Sequence, residues 1–390
     1  MSRAKPAAPK RTKRAAAAKS QSLTSDTDLQ AIRERIDGID ERIQEFLNER
    51  ARLAQHVGLS KKNAASGHSA SAVEFYRPER EAQVLRKAIA RNKGPLSDEE
   101  IARLFREIMS ACLAQQEPLK IAFLGPEGTF TQQAVYKHFG HSVRALPLVS
   151  IPEVFGEVES GRAEFGIVPI ENSTEGTVNH TLDMFLSSPL KICGEVELRI
   201  RQHLLGRMKS LENIARVCSH QQSLAQCRGW LDENLPGIEC VAVNSNAEAA
   251  RRARDEQGTA AIAGEAAAEV YGLNMLVPDI EDRPDNSTRF LVIGRKLFQP
   301  SGKDKTTLSV TAGDTQSPGI LHQLLGPFAR LGITLTRIES RPSRKKKWDY
   351  VFFIDVQGHV DEEPLKSALD ELKKYASMVR ILGSYPCAVL

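Results

Sequence analysis

The spacing of apolar positions changes character twice along the chain. Over residues 28–116 it is helical: Ile32, Ile36, Ile39, Ile43, Phe46, Arg50, Leu53 and Val57 follow one another at alternating steps of four and three, the seam of a long helix packed along a partner. A second helix is expected from Pro78, a good first-turn residue, with Arg80, Val84 and Ala88 on one face. Ser97-Asp98-Glu99-Glu100 reads as a capping box that opens a third helix, whose stripe Ile101, Leu104, Phe105, Ile108, Cys112 ends on Gln116. Three such helices make a poor monomer, so this segment is expected to dimerise. Arg50 breaks the first seam. Either it snorkels at a helix end, or it serves a buried anion, since a guanidinium facing a core is costly without one. Taken together, Arg33, Arg50, Lys61, Arg80 and Gln116 suggest a pocket for a dianion.

After Glu117-Pro118 the pattern switches to short apolar runs alternating with helical stretches, which predicts an α/β domain up to about residue 298. The runs Ile121–Leu124, Phe165–Val168, Arg216–Cys218, Val241–Val243 and Ala260–Ala263 each lead into a polar turn. Those turns hold Gly125-Pro126-Glu127-Gly128-Thr129, Glu171-Asn172-Ser173-Thr174, Ser219-His220-Gln221-Gln222 and Asn244-Ser245-Asn246. Small hydroxyl and amide residues at helix starts leave backbone N–H groups outward, which suits a carboxylate, although each turn alone is also ordinary capping. A further polar cluster, Pro284-Asp285-Asn286-Ser287-Thr288-Arg289, runs into the apolar Phe290–Gly294. It is either a capped turn or a group set at a strand mouth for binding or reaction.

The last pattern, over 303–390, reads as strand (Thr306–Ala312), helix (Pro318–Leu331), strand (Ile333–Glu339), strand (Trp348–Val356), helix (Pro364–Tyr375), strand (Val379–Gly383). That order is the ferredoxin-like plan. The organisation expected is therefore a basic tail over 1–25 without a core, an all-helical domain over 26–117, an α/β domain over 118–298 and an α+β domain over 303–390.

Charge and composition narrow the function classes. The formal charge is +4, but residues 1–25 hold seven Lys/Arg and no acid, which leaves 46 basic against 49 acidic residues elsewhere. The body thus has no basic excess to suggest nucleic-acid binding, and the tail is a solubilising extension, a contact for RNA or an anionic surface, or a targeting peptide. No apolar run is long enough to span a bilayer and no secretory leader is visible, so a cytoplasmic protein is expected. The six cysteines show no C-x-x-C pairing, which favours reduced core thiols over a metal site. Gly125–Gly128 lacks the fingerprint of a nucleotide loop, and neither cofactor nor metal is expected.

Ile32-Arg33-Glu34-Arg35-Ile36-Asp37, Glu49-Arg50, Lys61, Arg80-Glu81 and Gln116 resemble the all-helical chorismate mutase family. Gly125–Phe130, Pro169–Ser173, Gly176-Thr177-Val178, Ser219-His220 with Gln222 and Gln226, and Asn286–Phe290 resemble prephenate dehydratase. Pro318-Gly319-Ile320-Leu321 and Glu339-Ser340-Arg341-Pro342 resemble the effector-binding signatures of ACT domains in that enzyme family. The resemblance implies a bifunctional enzyme with a two-lobed, periplasmic-binding-protein-like dehydratase domain. It would convert chorismate to prephenate and prephenate to phenylpyruvate, with phenylalanine as feedback effector and at least a homodimeric state. By the family pattern Arg33 and Arg50 clamp two carboxylates, Lys61 and Gln116 donate to the ether oxygen, and Glu81, supported by Arg80, holds the ring hydroxyl. Thr288 serves the leaving hydroxide. Glu171, Asn172, Ser173, Ser219, Gln226 and Thr129 position prephenate, and Arg289 holds its side-chain carboxylate. Residues 62–71 resemble an insertion, and a basic loop, Arg344–Lys347, is expected to be a solvated hairpin tip.

Overall fold

The computed structural model describes residues 26–65, 76–313, 318–343 and 350–389. The basic tail, most of the expected insertion and the basic loop lie outside them. Residues 62–65 of that insertion still belong to the first helix, α1 (Asp26–Ala65). The chain divides into two compact units at Leu53/Ala54. In the first, the seam residues Ile36, Ile39, Ile43 and Phe46 are exposed.

The second unit continues with α2 (Pro78–Arg91), which has Pro78 in its first turn. Then follows α3 (Asp98–Ala114), whose Ser97 cap accepts from the Glu100 amide at 3.2 Å. A first lobe comprises β1 (Lys120–Leu124), α4 (Phe130–Phe139), β2 (Arg144–Leu148), α5 (Ile151–Glu159), β3 (Phe165–Asn172), β4 (Gly176–Thr177), α6 (Asn179–Ser187) and β5 (Lys191–Arg199). The second lobe comprises β6 (His203–Gly206), β7 (Arg216–His220), α7 (Gln221–Gln226), α8 (Arg228–Asn234), β8 (Glu239–Val243), α9 (Asn246–Asp255), β9 (Thr259–Ala263), α10 (Glu265–Tyr271) and β10 (Asn274–Val277). The chain then returns to the first lobe as β11 (Ser287–Gly294). The sheet orders are β2-β1-β3-β11-β5, with β4 on β3, and β10-β6-β9-β7-β8. The apolar Phe290–Ile293 is buried because β11 lies between β3 and β5, with neighbours on both edges.

Two stretches cross between the lobes, and they are tied to each other. Ile200 N–H donates to Asn286 O at 2.8 Å, Ile280 N–H to Gln202 O at 2.8 Å, and Gln202 N–H to a Glu281 carboxylate oxygen at 2.9 Å.

The C-terminal domain follows the expected order: β12 (Asp304–Ala312), α11 (Ile320–Arg330), β13 (Leu335–Pro342), β14 (Tyr350–Gln357), α12 (Leu365–Leu372) and β15 (Ala376–Pro386), with sheet order β13-β14-β12-β15. One face of this sheet packs under its two helices through Leu308, Val310, Leu324, Phe328, Ile354 and Leu372. The other face is fused to the first lobe: Val351, Phe353, Leu382 and Tyr385 share one buried cluster with Ile170, Leu182, Phe185, Ile192 and Leu291. At Gly383 the backbone of β15 runs so close to the Ile192 carbonyl that a β-carbon there would overlap it, so glycine is needed for the approach. Cys112, Cys193, Cys218 and Cys227 are buried thiols, while Cys240 is exposed. Among the described residues no helix is long and apolar enough to cross a membrane.

Candidate active site

Register sets the first half of the site. Thr288 on β11 pairs with Asn172 on β3, and Arg289 with Glu171. Successive side chains of a strand point to opposite faces, so Thr288 and Asn172 share one face while Arg289 and Glu171 share the other. Asn172 Nδ2 donates to Thr288 Oγ1 at 2.8 Å and to Asn286 Oδ1 at 2.9 Å. Its Oδ1 accepts from the Thr174 and Glu175 amides, both at 3.0 Å, and so fixes which end of the carboxamide faces Thr288. With Thr288 Oγ1 already accepting, the threonine hydrogen is left to be donated elsewhere. Ser173 Oγ accepts from the Ser287 amide at 2.9 Å and closes the turn behind this pair.

The second lobe supplies a matching polar cluster. Ser219, at the end of β7, donates to Ile262 O at 2.7 Å and lies 3.1 Å from Asn246 Oδ1. Asn246 Nδ2 donates to Ser223 Oγ at 2.9 Å, and Gln202 Nε2 reaches Ser223 Oγ at 3.1 Å and Gln226 Oε1 at 3.4 Å. Thus Ser219 and Gln226 fall in one cluster, joined by three residues not singled out from the sequence: Gln202, Ser223 and Asn246. The one signal for Asn246 is the Asn244-Ser245-Asn246 turn. There Ser245 caps α9, accepting from Glu248 N–H at 3.0 Å, and so leaves the Asn246 side chain for the site. Gln202 sits in a crossing with no periodic pattern around it.

Three expected ligands are otherwise engaged. Arg289, expected to hold the substrate side-chain carboxylate, is turned to the back of the sheet. There its guanidinium donates to Glu195 at 2.9 Å, Asp355 at 2.7 Å and the Tyr385 hydroxyl at 3.1 Å. Burial, which by itself lowers the Arg289 pKa, is outweighed by Tyr385 and the carboxylates of Asp355 and Glu195 beside it, which push it upward. Glu171 lies on that same back face, 3.3 Å from the Arg337 guanidinium. Strand alternation is the cause in both cases. Thr129 Oγ1 caps α4, accepting from Gln132 N–H at 3.4 Å and donating to Leu124 O at 3.3 Å.

The residues of the helical segment divide between the two units. In the first, Arg33 is exposed and Arg50 half-buried. In the second, Arg80 is exposed, Lys61 is half-buried, and Gln116 Nε2 donates to Ala54 O at 2.7 Å. Glu81, expected at a ring hydroxyl, lies where α2 meets α3 and the first lobe, 3.8 Å from Arg106. Burial raises its pKa to about 7, with Arg106 and a hydrogen bond from Tyr76 opposing the rise. Beside it the Tyr76 hydroxyl lies 3.2 Å from His138 Nε2, and burial lowers the His138 pKa to about 3.

These shifts act on stability in opposite directions. A carboxyl raised from 4.5 to about 7 by folding contributes fully below its unfolded value, and that contribution is lost as pH rises through about 7. His138, lowered from 6.5 to about 3, instead costs stability as pH falls through that range. The Glu81→Gln variant isolates the first. Its unfolding free energy, from urea melts, is expected to gain on the native chain between pH 4.5 and 7, by on the order of 3 kcal/mol. A pH-independent difference would exclude a buried carboxyl there.

At the C-terminal domain, Gly319 has φ 76° at the start of α11, in the left-handed region, with open space where a β-carbon would stand. Ile320 is half-buried and Leu321 exposed beside it. On β13, Glu339 accepts from Thr177 Oγ1 at 2.8 Å and Arg341 donates to Asp183 at 2.7 Å, while Ser340 and Pro342 are exposed. Among the described residues no group of His, Cys, Asp and Glu is arranged to hold a metal.

Comparison with known proteins finds three matches along the chain. Family models described as chorismate mutase type II, prephenate dehydratase and ACT domain match residues 32–117, 121–297 and 306–374. A bifunctional chorismate mutase/prephenate dehydratase of Stutzerimonas stutzeri is 56% identical over 94% of this chain and 100% of its own length. A prephenate dehydratase from Arthrobacter aurescens, solved in complex with L-Phe, is 36% identical with a TM-score of 0.64, covering 69% of this chain and 90% of that one. A structure described as GqqA, a novel type of quorum quenching acylase, is 32% identical with a TM-score of 0.64, covering 69% of this chain and 98% of that one. With the helical segment, both lobes and the C-terminal domain all matched, this chain belongs to the family of bifunctional chorismate mutase/prephenate dehydratases.

Proposed function

We infer that the chain converts chorismate to prephenate and prephenate to phenylpyruvate, under feedback by phenylalanine. The observation that carries the dehydratase half is the Asn172–Thr288 hydrogen bond, with its direction fixed from the far end of the carboxamide. In prephenate the ring C–O bond and the bond to the ring carboxylate break together. The electron pair of the latter completes the aromatic ring, CO2 departs, and the hydroxide leaves as water once it is given a proton. Thr288 Oγ1–H is the donor in this reading. The Ser219–Asn246–Gln226 cluster presents hydroxyl and amide groups to the substrate from the second lobe, and tight pairing of the ring carboxylate with a cation would oppose its loss.

For the mutase half, the family pattern assigns Arg33 and Arg50 to the substrate carboxylates, Lys61 and Gln116 to the ether oxygen, and Glu81, supported by Arg80, to the ring hydroxyl. Donors aimed at charge that develops in the transition state are what this rearrangement needs, because no covalent step occurs. The exposed seam of α1 supports a homodimer. A cytoplasmic location belongs to the same reading. The acylase named for one neighbour shows that a scaffold alone does not set chemistry.

The test is to supply chorismate, and separately prephenate, to the full chain and follow the phenylpyruvate absorbance in base. Failure with prephenate would sink the dehydratase assignment. Phenylalanine is expected to bind, and Gly319→Val to weaken that binding in calorimetry by about tenfold or more, since a β-branched residue at positive φ costs of order 1–3 kcal/mol. Unchanged affinity would remove Gly319 from the effector site.

A further inference from the structure

We infer that Arg289 is a positioning residue for the dehydratase step, anchoring the strand that carries Thr288 to the C-terminal sheet. The inference rests on the dehydratase reading above. Thr288 and Asn172, one on each of two paired strands, share one face of the sheet; their next neighbours in register, Arg289 and Glu171, face the other way. Both of those neighbours grip the C-terminal domain. All three guanidinium nitrogens of Arg289 are engaged, by Glu195, Asp355 and the Tyr385 hydroxyl. Glu171 meets Arg337 of β13 at 3.3 Å. The pair that reacts is thus backed, residue for residue, by a pair that docks.

The Arg289 cluster is closed and charge-balanced. Lys305 Nζ lies 2.9 and 2.7 Å from the two Glu195 oxygens, Thr307 Oγ1 donates to Asp355 Oδ1 at 2.7 Å, and the Thr307 and Tyr385 hydroxyls are 2.8 Å apart. Two cations therefore face two carboxylates, and Asp355 and Tyr385 are only 2% and 1% exposed. A planar guanidinium reaches two carboxylates and a hydroxyl from three separate nitrogens, a spread that the single nitrogen of an ammonium does not have. Asp355, Tyr385, Lys305 and Thr307 all belong to the C-terminal sheet, whereas Glu195 and Arg289 sit on β5 and β11. A shift of that sheet is therefore delivered to the residue beside Thr288, and displacement of a catalytic group by about 1 Å can cost 10²-fold in rate. β13 adds a parallel route. Arg337, Glu339 and Arg341 on one of its faces meet Glu171, Thr177 and Asp183, along the segment that carries Asn172.

The test uses the full chain with Arg289→Met, Arg289→Lys and the double variant Arg289→Met/Asp355→Asn. Removing Arg289 alone leaves Asp355 with only a hydroxyl, so the single variant is expected to lose stability; the double variant removes that buried charge. The expected result is a fall of about 10- to 100-fold in prephenate kcat for Arg289→Met, little change in KM, weaker phenylalanine inhibition, and unchanged mutase turnover in the same sample. The double variant regains the native melting temperature but keeps the low kcat, and Arg289→Lys falls between. Recovery of both stability and kcat in the double variant would overturn the inference, as would a native kcat and phenylalanine response in Arg289→Met. Absence of phenylpyruvate with the native chain would instead overturn the dehydratase reading itself.

Discussion

Thr288→Ala is expected to lower phenylpyruvate formation by about 10²- to 10⁴-fold, the range for removing a positioned proton donor, while prephenate still forms from chorismate. The substitution removes one hydroxyl from a side chain only 9% exposed, and the strand is held by pairing on both edges and by Arg289. A folded protein with one activity missing is therefore the outcome to look for, by supplying each substrate separately to the same preparation. Thr288→Ser, which keeps the hydroxyl, should retain more activity than Thr288→Ala. Equal loss of both activities in folded Thr288→Ala would mean that the sites are not separate, and full retention would transfer the donor role elsewhere.

Arg50→Ala is expected to produce the mirror image: mutase turnover down by about 10²-fold, as for loss of a group that holds the substrate in its reactive geometry, with prephenate still consumed at the native rate. Arg50 is the one charged residue in the α1 seam from Ile32 to Val57. If that seam only dimerised the chain, an apolar residue there would strengthen association and leave turnover alone. Measuring dimer stability alongside turnover separates the two: a catalytic Arg50 predicts lost turnover, and a merely tolerated one predicts a stronger dimer with turnover unchanged.

Much of the architecture could be read in advance because it rests on local periodicity. The three helices, the ferredoxin-like order of the last domain and the strand that follows Asn286 were all visible as spacing and caps. Two of the strands not isolated have a broken apolar pattern. β2 carries Pro147 and exposed positions, as an edge strand can. β5 contains Glu195, a buried carboxylate whose partners Arg289 and Lys305 lie 94 and 110 residues away. The same limit governed the site. Glu171, Asn172, Thr288 and Arg289 are all polar, and alternation says which residues share a face but not which face a second sheet covers. Arg289 and Glu171 were therefore assigned to substrate until the packing of the C-terminal sheet turned them to its side. Glu81 lies in a pocket shared with His138 of α4 and Gly194 of β5, residues outside the helical segment that its motif describes.

The shared core beneath Gly383 bears on how such a chain could be taken apart. Sequence families divide it into three transferable pieces, but Val351, Phe353, Leu382 and Tyr385 complete the same apolar cluster as Ile170, Phe185 and Leu291. A cut near residue 300 would leave the underside of the catalytic sheet wet. The C-terminal piece is thus interchangeable in ancestry but not in folding: a foreign regulatory domain grafted there would have to reproduce the host's own interior, down to a glycine where β15 crosses Ile192.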